Sequence, residues 1–111
     1  MKNVNEVGAM SNLQYLLTKL SEECCEIGQM AAKCQQFGLD EIYTGEGNTL
    51  TNRERLHAEI NDLLGVVDKL NVEEGFQFTP DFCAKLKKQE KIDIYRQYSI
   101  DLGFVKGDKN D

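Results

Sequence analysis

Two groups of carboxylates stand at helical spacing in this chain: Glu22, Glu23 and Glu26 within SEECCEIGQM, then Glu59 and Asp62 within LHAEINDLLGVV. Residues three and four apart project from one face of a helix, so each group aims its oxygens in a common direction. Both groups lie inside an apolar repeat, where carboxylates are costly unless something positive neutralises them. Glu22, Glu26, Glu59 and Asp62, facing each other across two helices, would form a hard oxygen cage for a divalent cation. Mg²⁺ is the expected ion, with Mn²⁺ as a substitute.

At about 100° per residue, Glu22 and Glu26 fall ~40° apart on the flank of one apolar stripe, and Glu59 and Asp62 fall ~60° apart on the flank of another. Antiparallel packing of the stripes brings both flanks to the same side of the seam. Glu23 lies closer to that seam, and ligand, support for a ligand, and base are all open to it. Acidic pairs at this spacing are usually solvated, and Lys19 or Lys69 would suffice to pair with them. Two such groups on consecutive helices, each beside a core stripe, favour a bound cation instead. Redox metals are disfavoured by ligand type. Bundles that hold them use Glu-x-x-His, whereas the only histidine, His57, stands two residues before Glu59. There is no nucleophile–base pattern, GxGxxG or P-loop, so covalent catalysis is disfavoured too.

The elements that must position these residues are helices. With 111 residues, one proline and no tryptophan, the chain favours one domain of long uninterrupted helices. Ser11 or Asn12 caps a first helix that runs to Phe37 and stops at Gly38, about 26 residues or roughly 39 Å. Its stripe is Leu13, Leu16, Leu17, Leu20, Cys24, Ile27, Ala31 and Cys34. A loop, LDEIYTGEGNT, follows. Thr51 and Glu54 have capping-box spacing for a second helix, with the stripe Leu56, Ile60, Leu63, Val67 and Leu70 and a stop at Gly75. Thr79-Pro80-Asp81 starts a third helix, with proline at the first helical position, running from Asp81 to about Ile100 with a break near Lys91. The expected domain is 11–102, flanked by a flexible lead-in at 1–10 and a flexible tail at 103–111.

The fold class is therefore all-α: an antiparallel helical hairpin plus a third helix. Such a hairpin leaves apolar surface uncovered, so self-association into a four-helix-type bundle is expected, as a homodimer or homotetramer. A net charge of −6 argues against nucleic acid and anionic membranes as partners. No apolar run approaches the ~20 residues of a membrane span, and MKNVNEVGAMSN lacks the apolar core of a signal peptide. Cys24, Cys25, Cys34 and Cys83 form no CxxC pair, which suits free thiols in a reducing compartment. A cytoplasmic location is expected.

The pattern Glu22-Glu23-x-x-Glu26 followed by Glu59-x-x-Asp62 resembles the EExxE and ExxD motifs of MazG-like nucleoside triphosphate pyrophosphohydrolases, in the all-α NTP pyrophosphatase superfamily. The similar region runs from about Leu13 to Leu70, and its motifs are short. The resemblance implies an oligomeric helical bundle that binds Mg²⁺ and hydrolyses a nucleoside triphosphate to the monophosphate and pyrophosphate. Glu22, Glu23, Glu26, Glu59 and Asp62 match its acidic positions that hold the metal and position water; the expected ligands are Glu22, Glu26, Glu59 and Asp62, with Glu23 or Glu26 accepting a proton from water. The stretch between the motifs is longer than in compact members, and Asn61 stands where glycine is common. These departures bear on the substrate rather than the chemistry, and the loop is either a lid or a specificity element.

Phosphates also need cations, and KLKKQEKIDIYRQYS supplies Lys85, Lys88, Lys91 and Arg96, with Tyr95 beside them. Their alternative is a solvated helix face. Walls for a base would come from among Tyr15, Leu16, Phe37 and Tyr43. Two other functions remain open: a non-catalytic helical interaction module, and a related pyrophosphohydrolase acting on another substrate such as a phosphoribosyl-ATP.

Overall fold

The computed structural model of the chain describes residues 8–107. Residues 1–7 of the expected lead-in and 108–111 of the expected tail therefore lie outside the described residues. Among those described there are three α-helices and no strand: α1 (Asn12–Phe37), α2 (Asn52–Glu74) and α3 (Phe82–Asp101). None is long and apolar enough to cross a membrane. The contacts divide the chain into two compact units, Met1–Phe78, which holds α1 and α2, and Thr79–Asp111, which holds α3.

Helix ends follow from local chemistry. The Ser11 hydroxyl accepts from the Gln14 N–H at 3.1 Å, and Gln14 Oε1 accepts from the Ser11 N–H at 2.9 Å. This reciprocal pair meets two donors that the first turn leaves without partners. Thr51 and Glu54 repeat the device at the start of α2. Gly38 (φ 95°) and Gly75 (φ 62°) end α1 and α2 in conformations that a side chain resists. In α3 the cap is Asp81, whose carboxylate accepts from the Ala84 N–H at 2.9 Å. Pro80 thus precedes the cap rather than opening the helix, because the Asp81 side chain satisfies a donor that Thr79 was expected to meet. No break occurs at Lys91, and the helix is continuous to Asp101.

The two helices of the hairpin pack antiparallel. At one end Asn12 Nδ2 donates to Glu73 and Glu74, each at 3.1 Å, and at the other the Cys34 thiol donates to the Asn52 carbonyl at 3.6 Å. The seam runs through Leu16, Leu20, Glu23, Ile27, Met30 and Cys34 on α1 and through Asn52, Leu56, Glu59, Leu63, Val66 and Leu70 on α2, all buried or half-buried. Steps of three and four alternate without interruption on both helices, the spacing that keeps a seam facing its partner. The expected stripe placed Cys24 and Ala31 inward. Both are exposed, and Glu23 and Met30 take the inward positions one residue earlier.

The connection from Gly38 to Thr51 is pinned rather than loose. Asn52, only 1% exposed, donates through Nδ2 to the Gly38 carbonyl at 2.9 Å and to Glu41 Oε1 at 3.2 Å. Its backbone N–H donates to the Glu41 carbonyl at 3.0 Å, and the Arg53 N–H to the Leu39 carbonyl at 2.8 Å. A short 3-10 turn, Gly45–Gly47, sits at the tip. Asn48 Nδ2 ties it down by donating to the carbonyls of Tyr43 at 2.7 Å and Leu50 at 3.0 Å.

The α3 unit buries none of its helix residues. Beyond the helix the chain turns back, and the N–H groups of Phe104 and Val105 donate to the Ser99 carbonyl.

Candidate metal centre

Halfway along the hairpin seam, the alternating repeat delivers carboxylates where its neighbours deliver hydrocarbon. One oxygen from each of Glu23, Glu26 and Glu59 lies within 4.8 Å of the other two. Glu23 and Glu59 face inward at half-buried positions, while Glu26 is exposed at the edge. Oε2 of Glu23 and Oε2 of Glu59 are each buried and accept no hydrogen bond. A desolvated carboxylate oxygen with no partner is unfavourable, and a proton or a cation relieves it.

The electrostatics agree with that geometry. Burial pushes the Glu23 carboxyl above the ordinary value of 4.5, and the charges of Glu26 and Asp62 push it further. Glu59 is raised by burial first, then by the adjacent Glu26, with Asp62 and Glu23 adding to it. Each group is thus held closer to neutrality by its neighbours' negative charge. No ion pair among the described residues involves Glu23, Glu26, Glu59 or Asp62.

Glu22 goes elsewhere. It is exposed and pairs with Lys19 at 3.1 Å, and the same ammonium lies 5.4 Å from the centre of the Tyr15 ring. Of the carboxylates expected on a metal, Glu26 and Glu59 are brought together and Asp62 is close enough to act on both inward carboxylates. Glu23 joins the oxygen cluster itself. A shallow groove on α1, lined by Leu17, Ser21, Glu22, Cys25, Glu26 and Gln29 among others, opens the Glu26 side of the cluster to solvent. His57 is exposed and takes no part.

The phosphate-binding residues expected on α3 belong to the other unit. There Lys88, Lys91, Tyr95 and Arg96 line one surface hollow, with the Lys91 ammonium 6.0 Å from the Tyr95 ring centre. Arg96 pairs with Asp93 at 3.2 Å, and Lys85 stands apart on the first turn of the helix.

Of the four side chains considered as base walls, Leu16 is buried in the seam and Tyr15 lies under Lys19. Phe37 and Tyr43 meet at a cavity of about 380 Å³ that Lys33, Glu41, Asn52 and Arg55 complete. Reasoning from sequence missed Lys33 and Arg55. The usable signal was spacing, since Arg55 stands one helical turn before Glu59, and Lys33 two turns after Glu26, on the same faces. No protein-family model, no curated protein and no solved structure matches the chain.

Proposed function

We propose that the hairpin holds a divalent cation, Mg²⁺ with Mn²⁺ as substitute, on Glu23, Glu26 and Glu59, and hydrolyses a nucleoside triphosphate to the monophosphate and pyrophosphate. The observation that carries this reading is the pair of buried, partnerless oxygens of Glu23 and Glu59 facing a third carboxylate. Hard oxygen donors at a narrow helical seam suit Mg²⁺, which keeps several waters and needs few protein ligands. When bound, such an ion supplies charge neutralisation for a triphosphate and acidifies a coordinated water.

The chain's own residues divide the remaining work. Glu23 and Glu59 hold negative charge in a fixed place between the helices. Glu26, on the groove side, is the base, because it is the exposed member of the three. Asp62 biases the cluster electrostatically from its edge. Glu22, already neutralised by Lys19, stays outside the ligand set.

Self-association belongs to the same proposal. Leu13, Leu17, Ile60 and Leu64 are each more than 40% exposed on the hairpin, while only Leu16, Met30 and Leu70 form its fully buried apolar core among the described residues. A second hairpin laid on that surface would complete a four-helix bundle as a homodimer or a dimer of dimers. The same surface equally suits a non-catalytic module that binds a partner helix. The thiols of Cys24, Cys25, Cys34 and Cys83, all free, fit a reducing compartment such as the cytoplasm.

Pyrophosphate release from a panel of ribo- and deoxynucleoside triphosphates, with Mg²⁺ and with chelator, tests the chemistry. Release is expected only with the metal, and Glu59→Gln is expected to lower it at least about 100-fold. No release across the panel, or undiminished activity in Glu59→Gln, sinks the hydrolase and leaves the interaction module.

A further inference from the structure

We infer that the cavity between the end of α1 and the 39–50 connection binds a nucleobase that carries an exocyclic amine, with its phosphate on Lys33 and Arg55. This deepens the nucleotide reading and rests on it for the class of ligand. Its walls are Phe37, Tyr43, Lys33, Glu41, Asn52 and Arg55 around about 380 Å³, within the range of small-molecule pockets.

The aromatic rings are available and one of them is aimed. Phe37 is 60% exposed and Tyr43 is 57% exposed, so neither is consumed by a core. Gly45 lies directly beneath the Tyr43 ring, and a Cβ there would overlap it. The Asn48 amide donates to the Tyr43 backbone carbonyl at 2.7 Å. A ring packed against the Gly45 backbone and otherwise exposed offers surface for stacking.

The cations make the case specific. Within the hairpin unit Lys19, Arg53 and Lys69 are each paired with a carboxylate. The side chains of Lys33 and Arg55 form no ion pair or hydrogen bond among the described residues, and both line this one cavity. In an acidic chain of net charge −6, two unengaged cations at one aromatic cavity await an anion. The spacing toward the acidic cluster is right for a triphosphate: Arg55 is about 6 Å along its helix from Glu59, and Lys33 about 10 Å from Glu26.

Glu41 sets the preference among bases. The Asn52 amide holds its carboxylate at the cavity wall. A carboxylate accepts N–H groups, so adenine, cytosine and guanine offer it an amine. Uracil and thymine flank their single ring N–H with carbonyl oxygens, which a carboxylate repels.

The test is calorimetric titration of nucleoside monophosphates into the full chain in chelator, so that the cluster plays no part. An amino-bearing monophosphate is expected to bind, with cytidine monophosphate about tenfold tighter than uridine monophosphate. Phe37→Ala, Arg55→Gln and Lys33→Gln are each expected to weaken it at least about fivefold. Phe37→Tyr is expected to restore binding, and Glu41→Gln to erase the base preference. Circular dichroism melts of the same proteins confirm that they are folded, and Lys33→Gln, being fully at the surface, carries the test if another variant is not. No monophosphate binding, or binding unmoved by all three variants, overturns the inference. Binding of the expected pattern without pyrophosphate release keeps the cavity and removes the hydrolase. Metal-dependent release whose KM is unmoved in Phe37→Ala and Arg55→Gln keeps the hydrolase and removes the cavity.

Discussion

One pair of helices packs in two unlike ways along one seam. At the end near Asn12, Leu16 and Leu70 are 7% and 0% exposed, hydrocarbon against hydrocarbon. At the centre, the same alternation of three and four places Glu23 and Glu59 inward, with buried oxygens that nothing satisfies. The backbone treats both places alike, since spacing sets which residues face the partner and not whether they should. The first region makes the hairpin stable. The second draws on that stability, and a position that costs the fold something is where a function is to be sought.

Truncating the apolar end should have the largest effect. Leu70→Ala removes a fully buried side chain and is expected to lower unfolding free energy by about 2–5 kcal/mol, in chelator and in Mg²⁺ alike, by urea denaturation. An equal loss from Glu59→Ala would erase the contrast between the regions. Next comes the cation itself. Mg²⁺ at 100 times its dissociation constant should add about 2.7 kcal/mol, and Glu23→Gln or Glu59→Gln should abolish that gain. A melting temperature indifferent to Mg²⁺ and Mn²⁺ would make the centre an ordinary, if awkward, part of the seam.

Smaller still is the effect of neutralising one carboxylate without metal. Glu59→Gln should melt at a higher temperature than the parent in chelator, because it removes like charge beside Glu26 and Glu23. A lower melting temperature would mean that the carboxylate serves the fold.

The last and smallest is a pH dependence. Glu23 and Glu59 hold protons more tightly folded than unfolded, so they favour the folded state at low pH, and that contribution is lost as pH rises through their raised values. Glu54 and Glu73, held low by Thr51 and by Lys69 and Asn12, favour folding above 4.5 and lose this on further acidification. In chelator the melting temperature should therefore climb as pH falls from neutral toward 4.5 and drop below it. Saturating Mg²⁺ should flatten the climb, since protons then compete with the ion. A melting temperature that falls steadily from neutral pH would leave the raised pair without consequence.

Much of the fold was legible because capping is local chemistry. Ser11, Gly38, Thr51 with Glu54, and Gly75 each announce a helix end within four residues, and all are where the sequence puts them. Pro80 misled by one position because Asp81 competes for the same cap. The seam was legible only to within a residue. A run such as Leu13, Leu16, Leu17 and Leu20 supports two adjacent stripes, and the partner helix decides between them. That single step exchanged Cys24 for Glu23 and moved Glu22 out to Lys19. The acidic constellation was thus visible as a group, with Glu23 as the member nearer the seam, while the exchange of Glu22 for Glu23 in the cluster was not. Lys33 and Arg55 stayed unseen because their cavity exists only once the connection folds back over the end of the hairpin.

The pinned connection bears on time as much as on shape. With Asn52 joining Gly38 to Glu41, and Asn48 joining Tyr43 to Leu50, the wall of the cavity stands ready before any ligand arrives. On the proposed reading, nucleotide enters without the connection opening or shutting. Encounter should then be a single step, with an observed rate that rises linearly with ligand concentration and never saturates, and selectivity should lie in how long each nucleotide stays rather than how fast it enters.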